Sequence, residues 1–502
     1  MSEFQQTSYF KNSLFLFVLF FLFLLTSCSN ETSSDRIRFA VSNAPVNFDP
    51  RFATDASSER VNSLLYSHLV DFDEQLLPVP SLANWQQLDS KTYRFVLRDD
   101  VPDFSNGERL SAKDVVATYR YVLDSNNLSP HREALSVIAS VDIENEKSIV
   151  FRLKYSDPLF PAYLRLGILP KKLIKSEHDF RQKPVGSGVY ELLDNNEPNK
   201  VVIQRRTDGQ QITFLQVRDP TVRVLKLLNH EVDLLQNDLS PEMVAYLKKQ
   251  SGLNYRYLPG SNFTYIGFNL QDDQTGQQEI RQAIAHAIDR NTIIKYVFND
   301  AAVAAESILP PRHWAGHNEL KAIQYDPNRA RNLLASKGYD ENNRLVLTYK
   351  TSTDPFRIKL ATIIQSQLAD VGVDIIIKSY DWGTFFGDIK SGNFQMYSLS
   401  WVGINTPDIF KYVFHSDSIP PKGANRGQYL SAEIDGLLDS IGGTDTLDQQ
   451  KEIYYRVQEI LHDELPYIPM WYEHQQAFMQ PTIKNFQLSS DGNYESLVSV
   501  QR

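Results

Sequence analysis

The stretch Tyr93-Arg94-Phe95-Val96-Leu97-Arg98-Asp99-Asp100-Val101 runs into Phe104-Ser105-Asn106-Gly107 and then Leu110-Ser111-Ala112-Lys113-Asp114-Val115-Val116. Tyr93, Phe95 and Leu97 alternate with Arg94 and Val96, which predicts a strand with one buried face. Asp103 to Gly107 is turn chemistry. Ser111 stands three residues before Asp114 and ahead of an apolar run, the pattern of a capping box at the start of a helix. Val115, Tyr119, Val122 and Leu123 then recur at helical spacing. A strand, a turn and a capped helix in direct succession mark a mixed α/β chain.

The same alternation of elements continues in both directions. Ile37 to Val41 reads as a first strand, and Ile149, Phe151 and Leu153 mark another. Ile280, Ala283, Ile284, Ala287 and Ile288 form an apolar helical stripe. Asp326-Pro327 supplies a cap and a proline at the first helical position, and Gly338 a stop. Leu345 to Tyr349 reads as a strand, Phe356 to Val371 as a helix and Val373 to Ile377 as a strand. That spacing suits a right-handed crossover and predicts parallel strands.

Cys28 is the only cysteine among 502 residues. It follows the apolar run Leu14 to Leu25, which is too short for the roughly 20 residues a spanning helix needs and suits the core of a secretory signal. Leu25-Thr26-Ser27-Cys28 resembles the lipobox of bacterial lipoproteins, which implies a leader over 1–27, acylation of Cys28 and a polar tether over 28–35. A location outside the cytoplasm, held at a membrane by the lipid, follows from that reading. The formal charge of −10 without any basic run excludes nucleic acid as a partner class.

The opening stretch is joined by further blocks in a fixed order. These are Phe48-Asp49-Pro50, Pro184-Val185-Gly186-Ser187-Gly188-Val189-Tyr190, Arg281-Gln282-Ala283-Ile284 with Ala287-Ile288-Asp289-Arg290, Tyr325-Asp326-Pro327 with Gly338-Tyr339, and Tyr380-Asp381-Trp382. Together they resemble the family 5 extracellular solute-binding proteins, the capture subunits of oligopeptide, dipeptide, nickel and related ABC importers. The resemblance implies a type II-like periplasmic binding protein of the large, cluster-C kind: α/β, two lobes with a hinge, three domains. It places domain I at 36–57, 184–270 and 477–502, domain II at 58–183 and domain III at 271–476. It further implies a peptide or peptide-like ligand, an ABC permease with its ATPase subunits as partners, a monomer and no cofactor. Binding of a metal complex, haem or a sugar stands as the alternative.

The ligand-facing candidates come from three places. Trp401-Val402-Gly403-Ile404-Asn405-Thr406-Pro407-Asp408 corresponds to the stretch that carries an ammonium-binding aspartate in peptide-binding relatives, yet has no carboxylate between Trp401 and Pro407. Trp401, Asn405 and Asp408 are candidates there, with Asp408 equally readable as a helix cap. Asn425, Arg426 and Tyr429 follow in a glycine-flanked loop, where an arginine suits a carboxylate or phosphate through two parallel hydrogen bonds. Trp382, and Arg51 and Thr54 after the first strand, complete the set.

Catalytic patterns are absent: there is no His-Glu-x-x-His and no Gly-x-Ser-x-Gly. Ser187 reads as backbone geometry between glycines. His313 and His317 have metal-like spacing, but Pro310-Pro311 and Gly316 oppose a helix there. The expectation is a binding protein rather than an enzyme. An extracytoplasmic hydrolase, or a sensory or envelope-assembly lipoprotein, would be the competing classes.

Overall fold

The structure of the protein, a computed structural model, describes residues 36–502. The leader, Cys28 and the tether lie outside the described residues. Strands follow in chain order: β1 Arg36–Val41, β2 Val70–Phe72, β3 Pro78–Pro80, β4 Ala83–Asp89, β5 Thr92–Leu97, β6 Ile138–Ile143, β7 Ser148–Leu153, β8 Tyr190–Asp194 and β9 Lys200–Arg205. Then come β10 Gln211–Gln216, β11 Leu234–Gln236, β12 Asn254–Phe268, β13 Ala302–Ala304, β14 Leu345–Ser352, β15 Val373–Tyr380, β16 Met396–Trp401 and β17 Tyr467–Met479. Among the described residues no helix is long and apolar enough to cross a membrane.

Eleven strands share one sheet, ordered β15-β14-β16-β12-β17-β11-β1-β10-β9-β8, with β13 added against β17. Two parallel patches stand at its two sides. In one, β1 runs parallel to β10 and β11; in the other, β14 runs parallel to β15 and β16. The antiparallel ribbon of β12 and β17 joins them. Its register breaks between Leu258 and Asn262: residues 254–258 pair with 475–479, and residues 262–264 resume against 471–473. Such a bulge bends a strand and increases its local twist. Gly260 lies in the break, where a Cβ would sit 2.1 Å from the Glu473 carbonyl oxygen.

The local expectations around Tyr93 are met. Tyr93, Phe95 and Leu97 are buried in β5, which belongs to a separate four-stranded sheet ordered β4-β5-β7-β6. The helix Ala112–Leu123 opens on a capping box, with Asp114 Oδ2 accepting from Ser111 N at 2.9 Å. Its Val115, Tyr119 and Val122 pack on the inner face of that sheet with Phe95 and Phe151. The crossover through the helix Pro355–Ala369 joins β14 to β15 in parallel register, Leu345 opposite Val373. Ile280, Ala283, Ile284, Ala287 and Ile288 are buried in the core beneath β14 and β15.

Gly186-Ser187-Gly188 has a packing reason. Gly188 N donates to Leu65 O at 2.9 Å, and a Cβ at Gly188 would lie 2.2 Å from Leu64 O. Close approach of two backbones thus requires glycine there. His313 and His317 lie outside any helix, as the flanking prolines predict.

The unit built on the four-stranded sheet also reaches the far side of the molecule. Leu159 and Ala162 are buried in the same core as Phe410, Tyr454 and Val457. Beside them Ser156 Oγ donates to Thr444 O at 3.0 Å.

Candidate functional site

In open α/β sheets ligands settle beyond the carboxyl ends of parallel strands. Here the chain leaving β1 and the chain leaving β16 face one another across a cavity of about 500 Å³. Pro50 to Ser63, which includes the first turns of the helix Ala56–Leu65, forms one wall. Val402, Gly403 and Asn405 form the opposite wall, and His131, Tyr163, Arg165 and Asp491 close the sides. A second recess of about 930 Å³ shares Arg165 and Asp491 with the first. The space is therefore a cleft between two lobes that the β12–β17 ribbon connects.

Burial sets the electrostatics of this cleft. The Arg165 guanidinium lies 3.1 Å from Asp71, 3.5 Å from Glu495 and over the Phe72 ring at 4.8 Å. Burial, with Asp71 and Asp491 adding to it, pushes the Glu495 carboxyl up to about 7 against the pull of Arg165. Burial and Arg165 push His68 down to about 4, with Asp71 opposing. Burial also lowers His131, whose Nε2 stands 2.8 Å from Ala53 O. Desolvation is the largest cause in all three because the charged form loses water.

The residues singled out in the sequence fall into three groups. Thr54 and Asn405 line the cavity from opposite walls. Asn405 Oδ1 is buried without a hydrogen-bond partner among the described residues. Asp408 stands beside the cleft, where the lobes meet. It occupies the N-cap position of the helix Ile409–Phe414 but makes no side-chain cap hydrogen bond. Instead Tyr163 Oη, from the other lobe, lies 3.5 Å from its Oδ1. The carboxyl keeps contact with solvent yet is surrounded by protein. That enclosure, with Asp157 nearby, pushes it up to about 6 against Tyr163 and Thr406.

The second group makes its contacts outside the cavity lining. The Arg426 guanidinium lies 4.9 Å from the Trp401 ring and 5.3 Å from that of Phe386, and its Nη1 donates to Tyr265 Oη at 3.1 Å. Trp382 is 59% exposed and stacks on Phe386. Neither Arg426 nor either tryptophan lines the cavity.

The third group is engaged in internal contacts. Arg51 is buried, chelated by Asp49 at 2.9 and 2.7 Å, with its guanidinium 4.0 Å from the Tyr121 ring. Asn425 ties its own loop, donating to His415 O and Tyr429 O and accepting from Tyr429 N. Tyr429 Oη donates to Glu464 at 2.6 Å. Sequence reading missed Glu59, Arg60, Asn62, Arg165 and Asp491. Arg165 alone carried a usable signal, a single charge inside the apolar run Tyr163 to Gly167.

Two α/β lobes joined by a bent ribbon, with a polar cleft between them, define a binding protein that encloses its ligand. Residues 77–419 match the family described as bacterial extracellular solute-binding proteins, family 5 Middle, and the chain belongs to that family. It is 26% identical to the dipeptide-binding protein of Escherichia coli (strain K12), over 84% of this chain and 86% of that protein. It is 25% identical to heme-binding protein A of Haemophilus influenzae, over 94% and 93% of the two chains. Among solved structures, NikZ from Campylobacter jejuni in complex with Ni(L-His) superposes with a TM-score of 0.79 at 24% identity, covering 93% of this chain and 99% of that one.

Proposed function

We propose that this chain is a lipid-anchored capture subunit that closes its lobes around a peptide or peptide-like solute and hands it to an ABC permease. The observation that carries the reading is the cleft itself. It joins the loop after β1 to the loop after β16 and is lined by small residues and short polar side chains as well as charges. Such a surface suits an extended backbone, which binds through main-chain hydrogen bonds and tolerates varied side chains. The dipeptide-binding relative supports the peptide class. The Leu25-Thr26-Ser27-Cys28 run supports an anchor at Cys28, and the three-domain division over 36–57, 58–183, 184–270, 271–476 and 477–502 belongs to the same reading. Capture rather than catalysis fits the family.

The haem and nickel-complex relatives favour a second reading, a non-peptide solute. No group of three or more His, Cys, Asp or Glu among the described residues is arranged to hold a metal ion, so a metal cargo would arrive with its own ligands. Native mass spectrometry of the purified protein separates the two readings. A co-purifying peptide ladder is the expected result; a haem or metal-complex mass would reassign the cargo.

A further inference from the structure

The cavity wall of Val402, Gly403 and Asn405 begins where β16 ends. The last pair of the β12–β16 ladder is Phe263 with Trp401, and residues 402–406 make no backbone–backbone hydrogen bond among the described residues. Support on the β16 side therefore has to come through Trp401. Its Nε1 is buried without a hydrogen-bond partner among the described residues. Stacking, and not a polar tether, sets the direction of its ring.

Two side chains pack on that ring. Tyr412 meets it edge-on at 6.2 Å, and the Arg426 guanidinium lies 4.9 Å from its centre. The same guanidinium is 5.3 Å from the Phe386 ring, so both rings lie within range of cation–π attraction. No carboxylate stands within ion-pair distance of Arg426 among the described residues. Its side chain donates instead to Tyr265 Oη at 3.1 Å, and Tyr265 stacks on Tyr467 at 3.9 Å, which ties the head of the arginine to both strands of the ribbon. The backbone is held as well. Asn425 bonds to Tyr429 in both directions on one side. On the other, Leu270 N donates to Gly427 O at 2.8 Å, and a Cβ at Gly427 would fall 2.4 Å from Phe268 O. An arginine fixed at both ends presents a planar cation in one orientation, which a lysine ammonium on a flexible stem does not.

We propose that Arg426 is a positioning residue for the cleft: it holds the Trp401 ring and thereby sets the course of residues 402–405 without touching the solute. The inference rests on the capture reading above for what the wall does, and adds the side chain that fixes it.

Fluorine NMR of fluorotryptophan-labelled protein reads the ring directly, the Trp401 line being assigned by its loss in Trp401→Phe. Arg426→Lys keeps the charge and Arg426→Leu keeps apolar bulk, with unliganded melting curves controlling for folding. In both variants the Trp401 line should split or at least double in width, while the Trp85 and Trp471 lines stay in place. Thermal-shift titration with a random tripeptide pool should show at least fivefold weaker binding in each. Adding Arg426→Lys to Trp401→Ala should weaken binding no further than Trp401→Ala alone, because the two residues act as one unit. A Trp401 line unchanged in both variants, or losses that multiply in the double variant, overturns the role and leaves the peptide reading standing. If wild type responds to no peptide, the peptide reading falls and the Trp401 line alone decides on Arg426.

Discussion

Asp408 stands where the two lobes touch, with Tyr163 Oη at 3.5 Å and the buried Asp157 beyond it. Asp157 is itself raised, by burial first, while Leu159 N, Tyr163 and Gln450 hold it down. Lys411 is the cation acting on Asp408, and it is committed to Asp439 at 2.7 Å. A carboxyl raised from 3.8 to about 6 favours the folded state while protonated. Its contribution is therefore full below about pH 4 and lost as pH rises through about 6. Asp408→Asn, which cannot ionise, should melt higher than wild type at pH 8 and converge with it below about pH 4. A melting difference that does not change with pH would remove this account. Residues of this kind were only half legible in sequence: the Asp-Ile-Phe order suggested a cap or a cleft carboxylate, and the partner that decides between them lies in another lobe.

The ribbon of β12 and β17 is the element on which lobe movement depends. It alone joins the two parallel patches within the large sheet, and its register changes at Gly260. A Cβ there meets the Glu473 carbonyl, which belongs to the backbone and has no rotamer to give way. Gly260→Ala should cost about 1–3 kcal/mol, the usual range for overpacking, read as a lower midpoint in urea unfolding. An unchanged midpoint would mean that the ribbon accommodates the methyl group. Sequence periodicity predicts strands of this kind but not their bulge. The extra residues belong to pairing between strands far apart in the chain, and Pro259-Gly260-Ser261 reads locally as an ordinary turn.

At the scale of the molecule, the lobes meet through apolar packing beside the cleft. Leu159 and Ala162 enter a core otherwise built by the lobe that carries β14 to β16, next to the hydrogen bond from Ser156 to Thr444. Leu159→Ala removes buried contact at that junction. Small-angle scattering should then show a larger radius of gyration for the unliganded variant than for wild type, with a urea midpoint lowered by the equivalent of about 2–5 kcal/mol. Equal radii would place Leu159 within a single lobe's stability and not in the balance between open and closed forms.

The sequence by itself determined the α/β class, the strand at Tyr93, the capped helix at Ser111, the parallel crossover after Leu345 and the family. Periodicity, caps and turn residues act over a few positions, and blocks in order survive without any knowledge of distance. Only the tertiary structure decided which polar residues face the cleft. Arg51, Asn425 and Tyr429 turn inward to partners of their own, whereas Thr54 and Asn405, far apart in the chain, come to line one cavity. A side chain's direction depends on the neighbour that satisfies it, and that neighbour is chosen by packing across lobes, which no local pattern records.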